Sequence, residues 1–173
     1  MVCAFTGYRP EKFSFGYDET HPDCVRLKEV LAREISRLAE DGYGTFLSGM
    51  AMGVDLWAAE AVLSQRERRP DLRLEAVIPH PGQERAWSDG WQQRYRRVRG
   101  LADREVVVSP RYLPGCMGAR NRYLVDHSDL LFAVFSGIRG GTSGTIDYAA
   151  SRGRDILLLR PDNFRVLRLT KET

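Results

Sequence analysis

The 173-residue sequence predicts one α/β domain spanning residues 1–173, a three-layer sandwich around a mainly parallel sheet. Short apolar stretches recur along the chain, stretches with helical spacing separate them, and the apolar stretches do not alternate with polar residues. Strands that are apolar throughout need cover on both faces, and crossover helices between parallel strands supply it.

Residues 2–6 form an apolar run that breaks at Gly7, which predicts the first strand. Over residues 24–41, Leu27, Val30, Leu31, Ile35 and Leu38 fall on one helical face, and Gly42 and Gly44 close the helix. Residues 45–48 predict a second buried strand, and the Ala-rich run 56–65 predicts a helix with Asp55 as its N-cap. A third strand over 72–78 is stopped by Pro79 and Pro81, then a helix over 87–101 leads to a fourth strand at 105–108. After a Pro- and Gly-rich loop, residues 119–127 predict a helix and 130–135 the most apolar strand, expected at the sheet centre. The Gly-rich stretch 137–144 leads into a helix through Ala150, Gly153 ends it, and 156–159 supplies the last strand before Pro161.

Hydrophobic residues at 43% and charged residues at 28% are ordinary globular values, so order is expected throughout. A net charge of +3 admits an anionic partner without singling out nucleic acid. Cys3, Cys24 and Cys116 have neither metal-ligand spacing nor the even count of a disulfide framework, which predicts a reducing cytoplasmic location and no metal. No apolar run approaches the roughly 20 residues that cross a bilayer, so no membrane association is expected.

In open parallel sheets ligands bind beyond the carboxyl ends of the strands, so the loops there carry the functional expectation. They hold Thr6, Gly7 and Arg9; then Ser48, Gly49, Met50, Gly53 and Asp55; then Gly140, Gly141, Thr142, Ser143, Gly144 and Thr145. Glycine permits close backbone approach, hydroxyls donate hydrogen bonds, and helix N-termini add unpaired N–H groups, which together suit phosphate. A fourth loop, 110–122, adds Arg120, Asn121 and Arg122, since the guanidinium fork can donate two parallel charge-assisted bonds. Turn formation and helix capping also explain these residue types singly; their joint placement at one sheet edge favours a phosphate-bearing ligand. Neither a Walker A motif nor GxGxxG after the first strand is present.

The run 47–55, the Ala119-Arg120-Asn121-Arg122 segment and the 140–145 loop resemble the SLOG superfamily, and Thr6-Gly7-Tyr8-Arg9-Pro10 with Leu56-Trp57-Ala58-Ala59-Glu60 resembles its YpsA-like branch. The resemblance implies a Rossmann-like fold and a nucleotide or nucleotide-derived ligand, in a sensor or regulatory module. Relatives of the LONELY GUY type are phosphoribohydrolases with a Pro-Gly-Gly-x-Gly-Thr-x-x-Glu loop. Aligned on Gly144-Thr145, this chain has Tyr148 where their catalytic glutamate stands. Asp147 is one residue earlier, about 100° away around a helix. A hydrolase therefore has only Asp55, Glu60 and Asp147 as candidate carboxylates. DprA, another relative, carries a similar Ser-Gly-x-Ala-x-Gly-[Ile/Val]-Asp loop and binds single-stranded DNA, which makes DNA the competing partner.

Trp87, Trp91 and Tyr95 are spaced for one helical stripe, read here as core rather than as a base-stacking surface; an exposed stripe would favour a homo-oligomer. His80 could face the crevice, whereas Cys116 reads as an ordinary loop residue. Glu60 either reaches the crevice or pairs on the surface.

Overall fold

The computed structural model describes residues 1–170. Its strands are β1 (Val2–Gly7), β2 (Thr45–Ser48), β3 (Arg73–Ile78), β4 (Arg104–Val107), β5 (Leu130–Val134), β6 (Asp155–Leu159) and β7 (Val166–Leu169). Its α-helices are α1 (Pro22–Glu40), α2 (Val54–Gln65), α3 (Asp89–Leu101), α4 (Cys116–Asp126) and α5 (Gly141–Ser151), with a 3-10 turn at Pro10–Lys12. They form one sheet in the order β4-β3-β2-β1-β5-β6-β7, parallel except for β7, which runs antiparallel to β6. This is the Rossmann-like α/β architecture.

Side chains alternate across the sheet, so Cys3 and Phe5 enter one core layer with Leu27, Leu31 and Phe46, while Ala4 enters the other with Leu47, Leu124 and Leu131. Every residue of β5 is buried, as its composition implies. The centre of the order, however, is β1, with β5 beside it. The antiparallel β7 was not expected: four residues with Leu167 and Leu169 half-exposed give too short a pattern to read.

The helix starts differ from expectation, and three of the shifts bear on the loops for local reasons. Gly53, not Asp55, is the N-cap of α2, and Asp55 sits inside the first turn. The Pro- and Gly-rich loop yields to helix at Cys116, behind a left-handed Gly115, so Arg120, Asn121 and Arg122 are helical residues rather than loop residues. Similarly α5 begins at Gly141, which places Thr142 to Thr145 on its first turns.

On α3, Tyr95 is fully buried and Trp91 nearly so; Trp87 precedes the helix and meets Tyr95 edge-on at 5.5 Å. Tyr95 and Trp91 belong to the core, while Trp87 stays partly exposed and lines a shallow depression with Trp91 and Tyr17. Beside it Arg94 lies over the Trp91 ring and donates to Glu60 (2.6 Å) and Glu19 (2.9 Å); Lys28 also pairs with Glu19. Burial pushes the Glu19 carboxyl up, but the bonds from Arg94 and Lys28 outweigh it and hold it at about 2. A carboxylate depressed from 4.5 stabilises the fold above that pH and loses its contribution as pH falls toward 2. Urea titrations across this window should show falling stability, with a visibly shallower slope in Glu19→Gln; identical slopes would remove Glu19 from the acid response.

Candidate anion-binding site

From β1 the chain builds outward through β2 and β3 to β4, then α4 returns it to the other side of β1 at β5. Strand order therefore reverses between β1 and β5, the position at which a crevice opens in such sheets. A cleft of about 290 Å³ lies there, lined by Thr6 and Gly7 at the end of β1 and Arg9 beyond it, by Asp55, by Arg120 and Asn121 of α4, and by Gly141 and Thr142 at the start of α5.

Arg120 dominates it. Only 6% of the residue is exposed. Its Nη1 donates to the Gly49 carbonyl, its Nε donates to Asn121 Oδ1 at 2.8 Å, and among the described residues nothing accepts from Nη2, which is left for the cleft. Burial lowers its pKa from the ordinary arginine value against the pull of Asp55, but a guanidinium starting so high keeps its charge. Burial raises the Asp55 carboxyl above its ordinary value, opposed by Arg120 and by the Ala51 N–H, which donates to Asp55 Oδ2 at 3.3 Å.

The glycines of the first two loops hold those loops together. A Cβ on Gly7 would stand 2.6 Å from Val54, and one on Gly53, where φ is +88°, would stand 2.5 Å from the Tyr8 carbonyl that accepts the Val54 N–H. Gly49 leaves room for Arg120: a Cβ there would lie 2.6 Å from its Nη1 and 2.8 Å from Asp55 Oδ2. Ser48 donates to the Asp55 carbonyl at 2.8 Å and accepts from the Met50 N–H, and Met50 is fully buried. Consequently Ser48, Gly49, Met50 and Gly53 do not line the cleft; they form the scaffold that seats Arg120 and Asp55.

The third loop divides in the same way. Ser143 exchanges hydrogen bonds with Gly140, and Thr145 donates to the Gly141 carbonyl, so both hydroxyls are spent inside α5. Thr145 and Gly144 face a neighbouring groove with Arg122, and Ser143 faces a separate depression with Asp147. Facing the cleft are the N–H groups of Gly141 and Thr142, which have no acceptor among the described residues, and the hydroxyls of Thr6 and Thr142, likewise without a partner.

Tyr8 and Lys12 were not singled out from the sequence. The Tyr8 hydroxyl accepts the Ser136 and Ile138 N–H groups, both at 3.1 Å, and so fixes the loop that feeds α5. Lys12 lies over the Tyr8 ring, and its Nζ comes within 3.0 Å of where a Gly140 Cβ would stand, carrying a second cation to the mouth. A Thr-Gly-Tyr-Arg-Pro motif followed two residues later by Lys was the available signal. Glu11 also lines the cleft and accepts from Tyr17 at 3.0 Å.

Of the three candidate carboxylates, only Asp55 reaches the cleft. Glu60 is bound to Arg94 on the far side of α2, and Asp147 opens away from it. Tyr148, at the place of the relatives' glutamate, donates to Asp126 at 3.0 Å. His80 bonds the Pro81 carbonyl through Nδ1 and packs on Tyr112, outside the cleft; Cys116 is buried at the start of α4. Among the described residues no cluster of His, Cys, Asp or Glu could hold a metal ion, and no helix is long and apolar enough to cross a membrane.

Comparison with known proteins adds the lineage. The YpsA family model, described as the YspA SLOG family, matches residues 3–154. UPF0398 proteins of Bacillus thuringiensis strain Al Hakam and Bacillus cereus strain AH187 are 30% identical over 158 residues, covering 90% of this chain and 85% of each relative. DNA processing protein A (DprA) of Streptococcus pneumoniae superposes with a TM-score of 0.60 at 18% identity, over 91% of this chain and 49% of its own. DprA of Helicobacter pylori, whose structure concerns its single-stranded DNA binding mode, gives the same score and identity over 91% of this chain and 64% of its own. This chain thus spans half to under two thirds of these DprA chains, and the likeness is one of fold.

Proposed function

This chain belongs to the YspA SLOG family, and from the cleft it builds we propose that it binds a nucleotide or nucleotide-derived ligand by its phosphate, as a sensor or regulatory domain. One observation carries the reading: a buried guanidinium, Arg120, offers a free Nη2 beside the unpaired N–H groups that begin α5. Burying a charge is costly, and an anion seated at Nη2 offsets that cost while also meeting the positive end of the α5 dipole. Arg9 and Lys12 add charge at the mouth.

Single-stranded DNA presents the same phosphate chemistry, and DprA of Helicobacter pylori binds it. Two of the three rings of the aromatic stripe, Trp91 and Tyr95, are buried, which leaves only Trp87 of it partly exposed for a base and favours a small ligand. For a hydrolase, the cleft offers two carboxylates, Asp55, which accepts from the Ala51 N–H, and Glu11, which accepts from the Tyr17 hydroxyl.

Calorimetry and thermal shift with nucleoside mono- and diphosphates, cyclic nucleotides, ADP-ribose and a single-stranded oligonucleotide test the reading. At 100-fold excess over Kd a bound mononucleotide should stabilise the fold by about 2.7 kcal/mol. Silence across the small ligands, or oligonucleotide binding alone that weakens steeply with salt, contradicts it.

A further inference from the structure

The anion cleft does not end at Asn121. A groove of about 390 Å³ between α4 and α5 shares Met117, Asn121 and Gly141 with it and continues past Gly118 and Gly144 to the Tyr148 ring. Gly144 has nothing within 4 Å of where a Cβ would stand, and the nearest atom to one on Gly118 is 3.9 Å away, so this wall is open backbone. The cleft is the more highly charged compartment, with Arg9, Lys12 and Arg120 beside Glu11 and Asp55, whereas the groove carries one charged residue, Arg122. Small-molecule sites commonly enclose about 300–1,000 Å³, and cleft and groove together fall well within that range.

Resting on the phosphate reading above, we propose that cleft and groove form one bipartite site for a nucleoside 5′-phosphate: the phosphate on Arg120 and the α5 N-terminus, the nucleobase in the α4–α5 groove. Arg120 supplies the second, independent sign of a ligand, being nine-tenths buried with an unpartnered nitrogen aimed into the adjoining cleft. A nucleobase suits the groove because it is flat and weakly polar, and glycines let a flat group approach the backbone closely. The amide of Asn121, whose oxygen already accepts from Arg120, stands where the two compartments meet.

Titration calorimetry of the whole chain with adenosine 5′-monophosphate, guanosine 5′-monophosphate and ribose 5-phosphate separates the parts. At least one of the two mononucleotides should bind tenfold or more tightly than ribose 5-phosphate, and Gly144→Leu, which fills the groove at an open helical position, should erase that advantage while leaving ribose 5-phosphate binding unchanged. Gly118→Leu, on the opposite wall, should do the same, with circular dichroism reporting that each variant folds. Ribose 5-phosphate binding as tightly as both mononucleotides, or a mononucleotide advantage that survives both leucines, overturns the groove assignment alone. Binding of none of the three overturns the phosphate cleft with it.

Discussion

Replacing Arg120 by methionine is expected to lower unfolding stability by about 1–3 kcal/mol at neutral pH, because it takes away the nearby positive charge that favours the buried Asp55 carboxylate. The Gly49 carbonyl also loses its guanidinium donor, and methionine fills the volume without replacing either interaction. Two controls identify the cause. Asp55→Asn retains an oxygen that can accept the Ala51 N–H, so combined with Arg120→Met it should restore a measurable part of the loss. Since burial holds the Asp55 carboxyl above its ordinary 3.8, its charged form costs stability as pH rises through the folded value, and that cost is absent below the unfolded one. The Arg120→Met deficit should therefore shrink on acidification as Asp55 takes up its proton. Urea unfolding of the four proteins at pH 7 and pH 5 measures all of this; a single-variant loss below about 1 kcal/mol would mean that Arg120 does not compensate Asp55. Phosphate affinity should fall at least tenfold in the same variant, since bonds to charged groups contribute about 1.5–3 kcal/mol each.

Gly53→Ala is expected to cost about 3 kcal/mol or more. The residue occupies φ +88° and ψ −130°, where an L side chain is strained by about 1–3 kcal/mol. The added methyl would also stand 2.5 Å from the Tyr8 carbonyl, a backbone atom that can move only by separating the two loops. The loss should appear as a lower urea midpoint at unchanged slope. A variant as stable as the parent would mean that the loops after β1 and β2 are not packed backbone to backbone.

Both variants bear on what the sequence makes legible. Strands and helices follow from periodicity, because one buried face leaves a pattern every two or 3.6 residues. The loop motifs mark the right edge of the sheet, yet residue type does not separate a group that touches ligand from one that holds it. Ser48 and Thr142 look alike in sequence, but one hydroxyl is spent on the Asp55 carbonyl and the other is left facing the cleft. Gly7, Gly49 and Gly53 read as phosphate-loop glycines; all three make room for Val54, Arg120 and Tyr8, and of them only Gly7 also lines the cleft. The helix position of Glu60 leaves the crevice and surface pairing both open, because its partner Arg94 comes from α3, a contact no local pattern encodes. Lys12 and the Tyr8 hydroxyl escaped notice for the same reason: their importance comes from the distant segment 136–140 that they meet.

A crystal structure grown with a saturating nucleoside 5′-monophosphate would place the phosphate directly. It should lie within hydrogen-bond reach of Arg120 Nη2 and the Gly141 and Thr142 N–H groups, at the carboxyl ends of β1 and β5. A phosphate bound elsewhere on the surface, with this cleft holding only water, would contradict it.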